Sequence, residues 1–389
     1  MTKSDDKRVP ALRFKGFTDE WEQRKLENLV DFYSGLTYHP ENIRKKGIFV
    51  IRSSNIKDGQ LVTGDDIFVA PEIVNSTYVK KDDIIVVVRN GSRKLIGKHT
   101  KLNFNLNNAV IGAFMTGIRS NNNNFINAIF DSDNFKREIH KNLGATINQI
   151  TTGEFKKMNF YIPSLTSEQN YLGNLIKTMN TLITLQQRKA TLLKQLKSTL
   201  LDRLISGKDT PLVRFKEFKS NWTVFKLKDI ITKTIKGIAK AEMHGKESIY
   251  LDTHYLNGGN PTKVDSPTNV SSNDIIILWD GSQAGKVYYG FSGALGSTLK
   301  SFTPKYSSNY LFQYLKKYQN KIFVNYRTPN IPHVIKDFTT VFKVNLPSTK
   351  EQIIISNLLK TLDAQITVKS DSVNYLKNIK HFLLQNMFI

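Results

Sequence analysis

Pro10-Ala-Leu-Arg-Phe-Lys-Gly-Phe17, with Trp21, Lys25 and Leu26 behind it, decides the architecture because it occurs twice. Pro211-Leu-Val-Arg-Phe-Lys-Glu-Phe218 repeats it, again followed by Trp, Lys and Leu at Trp222, Lys226 and Leu227, at a constant spacing of 201 residues. Chance does not supply that many matched positions. A chain that repeats itself at long range is one structural plan used twice, so its fold is sought once and applied to both copies.

Working outward, two more blocks recur. Asp83-Ile-Ile-Val-Val-Val88 leads into Asn90-Gly91-Ser92, and Asp274-Ile-Ile-Ile-Leu-Trp279 leads into Asp280-Gly281-Ser282. A β-branched run ending in Asn-Gly or Asp-Gly predicts a strand and hairpin. The third block is the longest: Pro163-Ser-Leu-Thr-Ser-Glu168-Gln169 matches Pro347-Ser-Thr-Lys-Glu351-Gln352, and from Glu168 onward the two copies keep step. Asn174-Leu-Ile-Lys-Thr178 pairs with Asn357-Leu-Leu-Lys-Thr361, and Leu200-Leu201 with Leu383-Leu384. The chain therefore divides into globular half, long segment, globular half, long segment, over residues 10–160, 164–206, 207–345 and 348–389.

Both long segments read as helices. Thr166 with Gln169 and Ser348 with Glu351 give capping signals, and neither segment contains Pro beyond its start. Apolar residues recur at steps of three and four: Leu172, Leu175, Met179, Leu182, Leu193, Leu196 and Leu200 in the first, and Ile355, Leu358, Leu362, Ile366, Val373, Leu376, Ile379 and Leu383 in the second. One such stripe usually packs on its own domain. Two matched stripes, each roughly 60 Å long at 1.5 Å per residue, exceed what a single domain covers, so the helices are expected to pair with each other as an antiparallel coiled coil. The globular halves carry short β runs, Ile48–Ile51, Ile84–Val88, Ile249–Leu251 and Ile275–Leu278, separated by turns such as Lys57-Asp-Gly59 and Asn257-Gly-Gly259. The fold class is α+β: two similar globular domains, each followed by a long helix, related by a pseudo-twofold internal repeat.

Composition frames the function. The 389 residues suffice for two domains with real cores, 40% of them being hydrophobic. Lys and Arg number 56 against 33 Asp and Glu, a net charge of +23. Self-repulsion of that size is usually offset by binding a polyanion, although bare solubility is the plain alternative. The chain has no cysteine, which excludes disulfides and thiolate metal sites. No apolar run of membrane length and no signal-like N-terminus is visible, so a cytoplasmic location without membrane attachment is expected.

The loops that follow the strand blocks carry the candidate contacts. Arg89, Asn90, Ser92, Arg93, Lys94 and Lys98 occupy the first, and Ser282, Gln283 and Lys286 the second; Arg52, Ser53, Asn55, Lys57, Lys300 and Arg327 join them, with His254 and Tyr326 as further candidates. Arg and Lys contact guanine edges or phosphates, and Asn, Gln and Ser contact bases. For any single one of these, an ordinary solvated hairpin residue is the competing reading. Both loops imitate a phosphate loop, but the glycine spacing fails and no Ser or Thr follows the Lys, so nucleotide hydrolysis is rejected. Trp21 and Trp222 sit in the opening motif beside Phe14, Phe17, Phe215 and Phe218, which favours packing over base stacking. Asn121–Asn124 reads as a loop tip, and Asp82-Asp83, matched by Asn273-Asp274, as a turn. No metal-type histidine pair, nucleophile elbow or methyltransferase signature is present, and no catalytic or metal residue is assigned.

The duplicated Pro-x-x-Arg-Phe-x-x-Phe…Trp opening, the Trp279-Asp-Gly-Ser-x-x-Gly-Lys286 segment, Gly293-Ala-Leu-Gly296 and the two Pro-Ser…Glu-Gln helices resemble the specificity subunits of type I restriction-modification systems, over essentially the whole chain. The first half departs from the second: Arg89-Asn90 stands for Trp279-Asp280, and Gly293–Gly296 has no evident counterpart. The resemblance implies a noncatalytic subunit binding double-stranded DNA. Each target recognition domain reads one half of a bipartite, asymmetric site, and the paired helices set the gap. Modification subunits would supply S-adenosylmethionine-dependent adenine methylation, and restriction subunits ATP- and Mg-dependent cleavage. This chain would bind none of those cofactors. The competing reading is a basic coiled-coil protein that binds nucleic acid without sequence preference.

Overall fold

The computed structural model describes residues 8–143, 148–329 and 332–389. The chain forms two compact units that do not follow chain order: residues 1–186 with 372–389, and residues 187–371. The two long helices, Thr166–Leu204 and Thr349–Met387, are each continuous over 39 residues, and each contributes one half to either unit.

Within the first unit, Asp31–Ser34, Met115–Arg119, Ile84–Val87 and His99–Lys101 form an antiparallel sheet in that order. Ile84–Val87 is buried at every position, as a central strand covered on both faces requires of a β-branched run. A second sheet orders Ala109–Ile111, Ile48–Ile51, Ile67–Val69 and Ile43–Arg44, with the first pair parallel. Glu22–Lys25 pairs with Asn159–Ile162. The second unit repeats the plan. Ile231–Lys236, Leu299–Pro304, Ile275–Leu278 and Val287–Tyr289 form the antiparallel sheet, His244–Leu251 lies parallel to Ala294–Leu295, and Thr223–Lys226 pairs with Lys343–Leu346. The four strands expected from sequence are all present.

The opening motif locks the helix ends. In the first unit, Leu12 N donates to Asn386 O at 2.8 Å, while Arg13 donates twice to Glu168, at 2.7 and 2.8 Å. The start of one long helix and the end of the other thus flank a single dipeptide. Further along, Asp131 accepts from Asn180 and pairs with Lys380. One helix rises from 168 to 180 as the other falls from 386 to 380, so the segments are antiparallel. The second unit matches this: Val213 N donates to Arg203 O at 3.0 Å, Arg214 donates twice to Glu351 at 2.8 Å, and Lys197 joins Asp363 directly from helix to helix at 2.6 Å. The trios Asp131/Asn180/Lys380 and Gln313/Asp363/Lys197 are repeat equivalents in which carboxylate and amide have changed places. The lysine keeps its counter-charge either way.

The expected seam needs two corrections. Leu182 and Leu196 stand 41% and 47% exposed. Leu172, Met179, Ile355, Leu362 and Val373 are buried, but the buried track also takes in Ile176, Ile183 and Ala190 of the first helix and Leu359 of the second, neighbours of the positions that spacing picked out. Leucines one residue apart on a 3.6-residue period form two neighbouring stripes, and spacing alone did not say which faces inward. Leu175, Leu200, Leu358 and Leu383 pack at the core's edge, and Leu193, Ile366, Leu376 and Ile379 are half-buried. Trp21 and Trp222 are buried, Trp21 edge-on to Phe388, as packing residues. Asn121–Asn124 is not an idle tip: Asn122 caps Asn123–Asp131, and Asn122 and Asn124 donate to Asn170 and Asn174 on the long helix.

Candidate nucleic-acid interface

Each antiparallel sheet extends a loop where its buried central strand turns back, residues 88–98 in the first unit and 279–286 in the second. Neither is a two-residue hairpin. The Asp before each strand holds the turn that enters it, at the end of the strand away from the loop. Asp83 accepts from Tyr33 Oη, Lys80 N and the Arg119 guanidinium, and Asp274 from Ser271 N and Thr303 Oγ1. Burial and the bond to Asp83 push the Tyr33 hydroxyl well above its ordinary value. Gly97 and Gly285 both have left-handed backbones, φ +84° and +93°, and a Cβ there would meet Ile139 at 3.1 Å or Ile322 at 2.8 Å. The Gly-Lys that imitates a phosphate loop is therefore demanded by a tight turn beneath a helix.

The first loop joins residues that sequence placed far apart. Ser53 Oγ accepts from Asn90 Nδ2 at 3.0 Å, and Ser53 O accepts from Lys98 Nζ at 3.1 Å. Ser92 N donates back to Asn90 Oδ1. Burial holds the Lys98 ammonium below the usual lysine value. Arg52 turns to Asp65, donating to its carbonyl at 2.7 Å and lying 2.8 Å from its carboxylate. Arg93 and Lys94 are exposed on a short 3-10 turn; Lys57 is exposed beside Asp58 and Gly59, whose φ of +50° and +71° fit a type I′ turn. Asn55 leaves the candidate set: it is 1% exposed, and its amide is committed to Arg52 N, Val62 O and Asp66. A polar side chain flanked by Arg and Lys looks surface-bound in sequence, but here it closes the turn.

In the second unit Ser282 and Gln283 are exposed. Lys286 donates to Asn257 at 2.5 Å and Gln283 at 3.2 Å, and Arg327 donates to Ser282 O at 3.1 Å. Lys300 lies 3.6 Å over the Trp279 ring, and burial pulls its ammonium below the ordinary lysine value. Tyr326 packs against Phe338 and Phe342 and belongs to the core, whereas His254 is exposed on a short helix. Sequence reasoning missed Phe114, 52% exposed beneath the Arg89 guanidinium, and Asn148, which donates to Gly91 O. It also missed Gln149 and His333, which are bridged to Arg89 and Asp280. No local motif marked them, because the chain returns to the loop from far away. Among the described residues no cluster of His, Asp or Glu could hold a metal ion, and no helix is long and apolar enough to cross a membrane.

The fold is that of a solved structure, the type I restriction-modification S subunit from M. genitalium: TM-score 0.71 over 98% of this chain and 99% of that one, at 15% identity. The sequence model of the type I restriction modification DNA specificity domain matches residues 18–200 and again 219–378. The chain belongs to that family. Among type I specificity subunits it is 33% identical over 179 residues to the MjaVIII subunit of Methanocaldococcus jannaschii, covering 43% of this chain and 42% of that one. It is 28% identical over 250 residues to the StySPI subunit of Salmonella potsdam, covering 59% and 52%. Each match spans about half the length of the relative. Two matches to one specificity domain agree with the duplication read from the opening motif.

The family's repeat also reveals a counterpart for Gly293–Gly296. Leu36 N donates to Ile111 O and Gly112 N to Ile51 O; equivalently, Ile238 N donates to Leu295 O and Gly296 N to Leu251 O. Ala109-Val-Ile-Gly112 is thus the first unit's version, hidden in sequence because only its last glycine is retained.

Proposed function

We propose that this chain is the DNA-reading subunit of a type I restriction-modification complex. The globular regions 10–160 and 207–345 act as target recognition domains, one for each half of a bipartite, asymmetric site. The helices 164–206 and 348–389 set the unspecified gap between the halves. The chain is noncatalytic. Modification subunits dock on it and methylate adenine with S-adenosylmethionine, and restriction subunits cleave with ATP and Mg. A cytoplasmic location belongs to this reading.

The observation that carries it is one loop on one scaffold, present twice with different side chains: Arg89, Asn90, Arg93, Lys94 and Lys98 in one unit, Ser282, Gln283 and Lys286 with Lys300 and Arg327 in the other. Identical scaffolds with unlike tips suit an asymmetric target. The net charge of +23 suits the phosphate contacts that position such a reader.

The test is selection of bound duplexes from a random library by the full-length chain. Enrichment of two short motifs at a fixed gap is expected. Equal binding of all sequences would favour a nonspecific basic coiled-coil protein instead, and incorporation of labelled methyl groups by the chain alone would make it an enzyme.

A further inference from the structure

Aligned by Asn-Gly and Asp-Gly, the two loops place Asn90 opposite Asp280. The backbone gives a different register. Val88 N and Arg89 N both donate to Phe114 O, as Trp279 N and Asp280 N both donate to Thr298 O. The next residues agree: Asn90 N donates to Asn148 O, and Gly281 N to Pro332 O. Arg89 is bridged to Gln149 and Asp280 to His333, while Ile150 N donates to Val88 O and Val334 N to Trp279 O. Val88 therefore matches Trp279, and Arg89 matches Asp280; the first loop takes up its extra residues farther on, before Gly97.

Resting on the function proposed above, we infer that this shared position is a specificity switch of opposite sign: Arg89 donates to a guanine edge in one half-site, and Asp280 accepts from an exocyclic amino group, that of cytosine, in the other. Both side chains are exposed. Among the described residues neither is engaged in an ion pair within 4 Å that would hold it in a merely structural role: the Arg89 guanidinium lies over the Phe114 ring, 5.0 Å from its centre, and Asp280 sits near the Lys300 ammonium. The flanking backbone is pinned on two sides by the same hydrogen bonds in both units, so the side chains leave from equivalent, rigid points. Arg is suited to guanine O6 and N7, and a carboxylate to the cytosine N4 amino group. An acid facing a polyanion is unfavourable unless it finds a donor, which makes Asp280 a reader of bases and not of phosphates. The neighbours differ in the same sense. Phe114 offers the first tip an apolar edge, where Thr298 stands in the second.

The experiment repeats the random-duplex selection with full-length Arg89→Gln and Asp280→Asn variants, thermal melting serving as the check on folding. Each variant is expected to lose preference at one base position in one half-site, by roughly 10- to 100-fold against the wrong base, leaving the other half and the gap unchanged. Wild type that enriches a split motif, with variants that change no base preference, overturns this inference alone. For Arg89→Gln, a uniform loss across sequences with a shallower salt dependence would make Arg89 a phosphate contact and likewise overturn it. Wild type that enriches no split motif sinks the proposed function instead. Should a variant fail to fold, Arg89→Lys and Asp280→Glu, which keep the charge but change its reach, are scored by the same rule.

Discussion

Replacing Arg214 by Met should destabilise the second unit far more than the loss of a surface ion pair would. Glu351 is 0% exposed and the Arg214 side chain 15%, and two hydrogen bonds of 2.8 Å join them. The bond to Glu351 raises the Arg214 guanidinium above its ordinary value, so the arginine stays charged. Removing the arginine leaves a carboxylate with no solvent and no cation, which costs about 3–5 kcal/mol. For a unit of this size that corresponds to a fall in Tm of roughly 6–20 °C. Glu351→Leu should cost less, because the arginine left behind can turn outward to water. The double variant Arg214→Met/Glu351→Leu should recover most of the loss, since a buried pair replaced by apolar residues of similar volume is often neutral. Calorimetry and urea unfolding of the three variants complete the cycle. A cost below about 1 kcal/mol for Arg214→Met, or a double variant as unstable as the sum of the singles, would refute the view that this pair locks the helix start.

Asp131 gives a pH signature. Burial opposes its charge, but the hydrogen bond from His99, the charges of Lys380 and His99 and the Asn180 amide together hold it well below the usual carboxylate range. A depressed folded value means stability that is present above the unfolded value of about 3.9 and lost as pH falls through the folded one. Asp131→Asn should therefore lower Tm at pH 7, with the gap to wild type closing below about pH 4; a gap independent of pH would contradict this. For the helices, Leu359→Ala, at a position 0% exposed, should cost about 2–5 kcal/mol, whereas Leu196→Ala should stay within about 0.5 kcal/mol in chemical unfolding; equal costs would return Leu196 to the seam.

The parts of this fold that were legible in sequence are those where one residue type has one physical solution. The Arg of the opening motif and the Glu at the helix start recur together because they form a single buried pair in each unit. The strand runs recur because a doubly covered strand tolerates little but β-branched and other apolar residues, and their leading Asp recurs because it accepts the backbone N–H three residues before it, closing the turn into the strand. Three features were not legible. Two leucine stripes share one helical period, and only packing shows that Ile183, not Leu182, faces inward. The tip residues Phe114, Gln149 and His333 reach the loop from distant segments. The extra residues of the first loop shift the apparent register by one, so Asn90 seemed to match Asp280 where the backbone matches Arg89. Asn55 failed for a related reason: its neighbours are basic, but its own amide is spent inside a turn.

On the proposed function, each unit reads its own half of a split target. Mapping methylated adenines in cells that carry this chain with its modification subunits, before and after residues 91–95 are exchanged for a Gly-Ser linker, tests it most directly. One half of the methylated motif should lose its sequence while the other half and the gap persist. Both halves degrading together, or neither, would contradict it.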